Sequence, residues 1–295
     1  MTGSTIKDPT SRVVTRLWGG LGNQLFALAA GLRLSRANGA QLVLDTETGF
    51  RRDPYGRSYE LDELRLPFPR AGRRERLEPL ERIRRQLLRR RGLRHPFETR
   101  YVVQPENRFD DRILKLKVRG TVFLEGYWQS ERFFVDVADE IKSFFDAPTD
   151  SGPHAARSAA VHVRWFQRPG SPAHSIENLD AGYYRRAINR LRSEAEIDEI
   201  VVYSERPREA LELARQASEL PVRLGSTDRR RSPLTELQLM AQHTHFIIAN
   251  STFSWWAAWL GRADEKAVVA PAVAFRGPTT SWGHDGLLPE RWLRA

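Results

Sequence analysis

The chain has 295 residues, 40% of them hydrophobic, enough for one large or two ordinary domains with a sizeable core. It contains no cysteine, which excludes disulfides, thiolate catalysis and cysteine-held zinc. The formal net charge of +10 raises nucleic acid as a partner. With no signal-type apolar stretch and no apolar run of the ~20 residues that span a bilayer, a cytoplasmic protein is expected.

In chain order, "SRVVTRLW" (11–18) predicts a strand, "GGLGNQ" (19–24) a loop, and residues from about 23 to 37 a helix closed by Asn38-Gly39. "AQLVLDT" follows as a strand, which makes a β-loop-α-β unit. The stretch from Glu47 to Arg119 reads as irregular and basic. Within it, Arg73 to Arg94 carries ten arginines against three glutamates. Leu77, Leu80, Ile83 and Leu87 recur there at helical spacing, with Leu88 beside them. Such a basic amphipathic helix is a solvated helix packed by its leucine stripe, a peripheral contact with an anionic membrane surface or lipid-linked phosphate, or an RNA contact. "GTVFLEGYWQSERFF" predicts a strand, a turn and a helix.

"DAPTDSGPHAARS" (146–158) is rich in Pro, Ser, Gly and Asp and reads as a linker. Beyond it, strands and helices alternate regularly: "AAVHVRW", "YYRRAINRLRSEA" capped by Asp180, "IDEIVVYSE", "PREALELARQASE", "PVRLGS", "LTELQLMAQH", "HFIIAN", "STFSWWAAWLG" and "KAVVAPA". This alternation predicts a parallel sheet with helices on both faces. The fold class is therefore α/β. Two Rossmann-like domains, 1–150 and 151–295, are expected to face a cleft.

Four positions of five after "HFIIA" are small and polar: Asn250, Ser251, Thr252 and Ser254. One hydroxyl would cap a helix. Several at a strand-to-helix junction also suit an anion, because a helix start offers free N–H groups and partial positive charge. His162 and Arg164 lie two apart on a strand and share a face. Arginine binds phosphate through a planar fork. No D-x-D motif offers Mg²⁺ to a diphosphate; Asp110-Asp111 and "LDEL" are the nearest approaches. Glu236, at the start of a helix, is either ordinary dipole chemistry or an acceptor for the N1–H and N2–H₂ of guanine. The glycines of "GGLGNQ", Gly20 and Gly22 among them, allow either a plain tight turn or close approach to a ligand. The spacing is not that of a dinucleotide fingerprint.

Together these residues resemble the bacterial α-1,2-fucosyltransferases of glycosyltransferase family 11. The carrying stretches are "GGLGNQLF", "LEGYWQSERFF", "HVR", "YY" with "AI", "LMAQHTHFIIANSTFSWWAAWL" and "LLPERWLR", in that order along almost the whole chain. The resemblance implies a GT-B fold and a metal-independent, inverting transfer of L-fucose from GDP-fucose. The acceptor would be a galactoside, free or lipid-linked, in surface polysaccharide or glycan synthesis, with α-1,2 linkage. Neither a metal nor a nucleic-acid partner is expected. It makes Arg164 the phosphate-binding arginine, His162 a guanine or diphosphate contact, and Glu236 the guanine-reading acid. Ser251, Thr252 and Ser254, with Asn250, become the phosphate-binding turn, and Asn23 and Gln24 face the fucose and phosphates. The chain departs from the family's His-x-Arg-Arg-Gly-Asp-Tyr: Trp165 stands for the second arginine and Gln167 lies near the missing acid. His174, in the loop after Arg164, is the candidate general base, with Glu125, Glu177 and Asp45 as further candidates. Transfer of another GDP-deoxyhexose, another linkage, or sugar binding without catalysis are the alternatives.

Overall fold

The computed structural model describes residues 11–106, 108–145, 157–165, 178–225, 231–272 and 286–295. Two compact units make up the chain. The first is Met1–Phe144 with His284–Leu287, the second Phe145–Gly283 with Leu288–Ala295.

In the first unit β1 (Arg12–Arg16), α1 (Leu21–Asn38) and β2 (Gln41–Asp45) form the expected β-loop-α-β element. Val13, Val14, Leu42 and Val43 supply its buried strand faces. Helix α1 stops where Gly39 turns left-handed (φ 61°) and returns its N–H to the Arg36 carbonyl, a conformation that suits glycine. Within the segment expected to be irregular, the anticipated basic helix is α2 (Glu81–Arg94), and a strand that was not expected follows it, β3 (Tyr101–Val103). Then come β4 (Thr121–Glu125) and the short α3 (Ala138–Ser143). The four strands pair in parallel in the order β2-β1-β4-β3.

The basic segment differs from its sequence reading in two ways. Helix α2 begins only at Glu81, because Leu80 takes a left-handed conformation (φ 68°) that a right-handed helix does not contain. Leu77 and Leu80 therefore precede the helix, both at positive φ. The leucine stripe is also not the packing face: Ile83 and Leu87 are 55% and 60% exposed. The helix buries Arg85 and Gly92 instead. A Cβ on Gly92 would stand 2.3 Å from the Tyr101 carbonyl oxygen, so glycine is what lets α2 lie against β3. Arg85 can be buried because Asp45, Glu81, Thr48 and the Tyr101 hydroxyl all bind its guanidinium.

The second unit follows the predicted alternation: β5 (Ser158–His162), α4 (Ala181–Arg192), β6 (Glu199–Tyr203), α5 (Pro207–Ala217), β7 (Val222–Leu224), α6 (Pro233–Met240), β8 (His245–Ile247), α7 (Thr252–Leu260) and β9 (Val268–Ala270). A two-residue strand that the sequence did not announce, β10 (Leu293–Arg294), pairs with β9. The sheet is parallel, in the order β10-β9-β8-β5-β6-β7. Trp292 brings "LLPERWLR" against α7: its ring centroid is 5.4 Å from that of Trp255, which also stacks with Trp259. The expectation of two α/β units, each on a parallel sheet, is met. Among the described residues no helix is long and apolar enough to cross a membrane.

Candidate functional site

Strand order fixes where a ligand can enter each sheet. In the second unit the chain runs from β5 outward through β6 and β7, then returns to place β8 on the other side of β5. The two directions of winding separate at the carboxyl ends of β5 and β8, the position at which open α/β sheets bind ligands. His162 ends β5, Arg164 lies two residues beyond it, and Asn250 to Ser254 follow β8 into α7. These candidates converge because β5 and β8 are paired, Val161 being level with Ile247.

The tyrosine pair of α4 prepares the strand ends. Asp180 caps that helix by accepting from the Tyr183 N–H at 2.8 Å. The Tyr183 hydroxyl donates to the Ile248 carbonyl at 2.6 Å and the Tyr184 hydroxyl to the His162 carbonyl at 3.0 Å. Both hydroxyls are buried, which holds their pKa values well above the ordinary tyrosine value. They remain donors, and they satisfy two carbonyls that burial would otherwise leave unpaired.

His162 is 5% exposed, and its ring lies 5.3 Å from Phe253 in the first turn of α7. Its Nδ1 is buried and has no hydrogen-bond partner among the described residues. Burial first, and then the charge of Arg164, lower its pKa from 6.5 to about 3. The imidazole is therefore neutral at pH 7. The unfolded chain binds this proton near pH 6.5 and the folded chain only near 3. The stability that His162 contributes is thus complete above about pH 6.5 and is lost as pH falls toward 3. Thermal melts between pH 7 and 4 should show the wild type losing stability more steeply than His162→Asn. Parallel curves would show that His162 does not carry this acid sensitivity.

Arg164 is half-buried, and Nη1 donates to Glu205 Oε1 at 2.5 Å. The same carboxylate oxygen accepts the Trp165 N–H at 3.0 Å. Glu205 was not singled out from the sequence. Its signal is register: His162 is level with Tyr203, so Arg164 and Glu205 each lie two residues past a paired position. Trp165, in place of the second arginine, packs partly buried against the core of this unit.

Ser251 sits at the N-cap of α7 but makes no side-chain cap hydrogen bond, so the plain cap reading does not describe it. The first-turn N–H groups have no intrahelical acceptor. Ser254 is fully buried, and its hydroxyl donates back to the Ser251 carbonyl at 3.2 Å, so it holds the turn. Ser251 and Thr252 are the partly exposed hydroxyls of the junction. Glu236 is half-buried in the first turn of α6. Its side chain makes no hydrogen bond or ion pair among the described residues, and its charge acts on Tyr203 nearby.

The N-terminal candidates belong to the first unit. Gln24, expected to face a ligand, is fully buried. Its Nε2 donates to the carbonyls of Gly19 and Ser58, and its Oε1 accepts the Glu60 N–H. Its amide is used in tying the glycine loop to the 58–60 segment. The Arg57 guanidinium covers Gly20, reaching 2.3 Å from where a Cβ would stand, and Gly22 is buried. Asn23 remains partly exposed and accepts from Gln129 Nε2 at 2.9 Å, which joins "GGLGNQLF" to "LEGYWQSERFF".

Two candidate bases are bound up. Asp45 is 1% exposed and accepts from the N–H groups of Glu47 and Thr48, the Thr48 hydroxyl and Arg85. Glu125 accepts from the Tyr101 hydroxyl at 2.5 Å and lies within 4 Å of Arg16, Arg85 and Arg89. The oxygens of both carboxylates are occupied by these donors and both residues are buried, so neither presents a free oxygen to an acceptor hydroxyl. His174, Glu177 and Gln167 lie outside the described residues.

The sequence pattern of glycosyl transferase family 11 matches residues 84–275. The chain is 26% identical, over a 319-residue alignment, to an alpha-1,2-colitosyltransferase of Escherichia coli, covering 96% of this chain and 99% of that protein. It is 28% identical to the O-antigen biosynthesis glycosyltransferase WbnK of Escherichia coli, covering 90% and 95%. Among solved structures, the Bradyrhizobium NodZ alpha-1,6-fucosyltransferase soaked with GDP-fucose is similar over 85% of this chain and 92% of that one, at 16% identity and a TM-score of 0.45.

Proposed function

This chain belongs to glycosyl transferase family 11, and from that premise we propose that it moves L-fucose from GDP-fucose to a hydroxyl of a galactoside, with inversion and in α-1,2 linkage. The observation that carries the donor reading is the junction of β5 and α7. There a neutral, buried His162 with an unpartnered Nδ1 and the guanidinium of Arg164 lie at the end of β5, and the N–H groups of a helix start follow β8, its paired neighbour. Such a set suits a nucleoside diphosphate. In the reaction the acceptor hydroxyl oxygen forms a bond to C1 as the C1–O bond to GDP breaks, its proton passing to a general base, for which His174 is the sequence candidate, and charge develops on the β-phosphate. Arg164 and the N–H groups of α7 stabilise that charge, and the resemblance carried by the motifs supports a transfer without a metal.

Donor identity has a second reading, favoured by the colitosyltransferase relative. Colitose is fucose without its 3-hydroxyl, so a GDP-linked dideoxyhexose would fit the same diphosphate and guanine contacts. Incubation with GDP-fucose and GDP-colitose, separately, against a panel of galactosides separates the two, with linkage read by NMR of the product. Transfer from neither donor, alongside intact GDP binding, would leave sugar binding without catalysis as the function.

Guanine selectivity is assigned to Glu236. GDP is expected to bind more tightly than UDP, and Glu236→Gln to narrow the gap about tenfold, since a hydrogen bond to a charged group contributes roughly 1.5–3 kcal/mol. Titration calorimetry with both nucleotides checks this; equal affinities in the wild type would remove the assignment.

A further inference from the structure

Helix α2 has two unlike faces. On the inner side Arg85 and Gly92 are buried, and Arg82, Arg85 and Arg89 line a cavity together with Arg16 and Glu125. On the outer side Ile83, Leu87, Arg90 and Arg94 recur at intervals of four, three and four residues, which is one stripe of a helix with 3.6 residues per turn. Arg84 and Arg91 lie beside that stripe. Ile83 and Leu87, with Leu80 just before the helix, are 55–63% accessible, and Arg84, Arg90, Arg91 and Arg94 are exposed as well. The outer face is thus an apolar patch toward the start of the helix, bordered by arginines that continue to its end.

The charge of this outer face is unopposed. Glu81, the single acid of α2, is bound to Arg85 at 3.0 Å on the inner side. Arg84, Arg90, Arg91 and Arg94 have no ion-pair partner among the described residues; Arg84 gives one N–H to the Glu78 carbonyl at 3.3 Å. Fold stability accounts for neither feature. Ile83 and Leu87 leave most of their apolar surface in water, which forgoes the gain of burial. Arg94 stands one helical turn from Arg90 and Arg91, and like charges at that spacing repel. The reading of α2 as a helix packed by its leucine stripe therefore falls, because the stripe meets solvent.

We propose that the outer face of α2 docks on an anionic lipid bilayer, Ile83 and Leu87 entering the boundary between headgroups and acyl chains while Arg84, Arg90, Arg91 and Arg94 pair with lipid phosphates. An apolar stripe beside basic residues on a surface helix has the chemistry of an interfacial helix, and arginine forks match phosphate oxygens. Other occupants fit less of the face. A second copy of the chain would set like charge against like charge. An acidic protein surface would match the arginines and leave the apolar stripe against charge. A nucleic-acid strand would want stacking surfaces, and α2 carries no aromatic side chain. Arg82 and Arg89 line the cavity and take no part.

The test is sedimentation of the full chain with vesicles of equal parts phosphatidylglycerol and phosphatidylcholine, and with vesicles of phosphatidylcholine alone. Binding is expected to the first, and at least tenfold weaker to the second. Arg84→Gln with Arg90→Gln, Arg91→Gln and Arg94→Gln should lose at least tenfold of the affinity, since each basic residue near such a surface contributes about fivefold. Ile83→Ser with Leu87→Ser should weaken binding severalfold and leave a remainder that salt removes. Arg82→Gln with Arg89→Gln, on the cavity side, should bind nearly as the wild type does. All these side chains are exposed, so thermal melts should match the wild type. The proposal is overturned if the mixed vesicles do not bind, if either outer-face variant binds them as the wild type does, or if the cavity-side pair loses as much as the outer face. It is also overturned if the chain binds an RNA oligomer through the four arginines while the serine variant still binds vesicles fully, which would make the face a nucleic-acid contact. A dimer in sedimentation equilibrium that the serine variant turns into a monomer would make the stripe a subunit interface and overturn it too. Vesicle binding is read without donor or acceptor, so it is decided whether or not transfer from GDP-fucose is observed.

Discussion

Arg164→Ala is expected to lower turnover by at least ~100-fold, the scale of losing one electrostatic donor aimed at developing charge. In the proposed reaction, charge builds on the β-phosphate as the C1–O bond breaks, beyond what exists in the bound donor. A fixed guanidinium therefore stabilises the transition state more than the ground state, and GDP affinity should fall less than turnover. Arg164→Lys should also fail substantially, because lysine keeps the charge but lacks the planar fork. It would also lose the geometry of the 2.5 Å contact with Glu205. Activity should survive EDTA. Steady-state kinetics with GDP titrations in parallel decide the matter. Loss of activity on chelation, or more than about a tenth of wild-type turnover in a folded Arg164→Ala, would end the idea.

Glu205→Ala is expected to cost ten- to about a hundredfold in turnover, since a displacement of about 1 Å in a positioned group can cost that much. One carboxylate oxygen holds both the Arg164 guanidinium and the Trp165 N–H. Removing it frees the arginine to adopt other rotamers and loosens the strand exit that carries it. On the proposed reading Glu205 positions Arg164 and does not itself touch the substrate. Glu205→Gln keeps an acceptor oxygen and should recover part of the loss, which distinguishes orientation from net charge. The opposite view is that Glu205 competes with the diphosphate for Arg164. It predicts tighter GDP binding in Glu205→Ala with turnover preserved, and that pattern would sink the positioning role. If Arg164 and Glu205 act as a unit, the double variant should be little worse than Arg164→Ala alone.

The alternation of the second half was legible because each strand is a short apolar run and each helix carries its own start signal: Asp180 before α4, Pro207 opening α5, Ser232 before α6. The placing of candidates at the strand ends was legible for a related reason. In a parallel sheet the residues just beyond the carboxyl ends of neighbouring strands gather at one edge, so the sequence alone placed His162, Arg164 and the Asn250–Ser254 run together. The region from Glu47 to Arg119 gave less. A three-residue strand such as β3 has too little sequence to show periodicity, and the leucine spacing around α2 indicated a packing face that the fold does not use.

The sequence by itself determined the α/β alternation, the family motifs and the residues at the strand ends, because these depend on local periodicity and on chemistry carried within a few neighbouring positions. Tertiary structure alone decided which candidate side chains are available. Gln24, Asp45 and Glu125 look like free polar groups in the sequence, yet each is consumed by partners 2 to 109 positions away. Glu205 gained a role only through the register of β5 with β6. The arginines of α2 became a cavity wall only because Gly92 lets that helix rest on β3, turning Arg85 inward and leaving Ile83 and Leu87 exposed. Burial and partnership depend on contacts distant in sequence, and those are fixed when the strands pair.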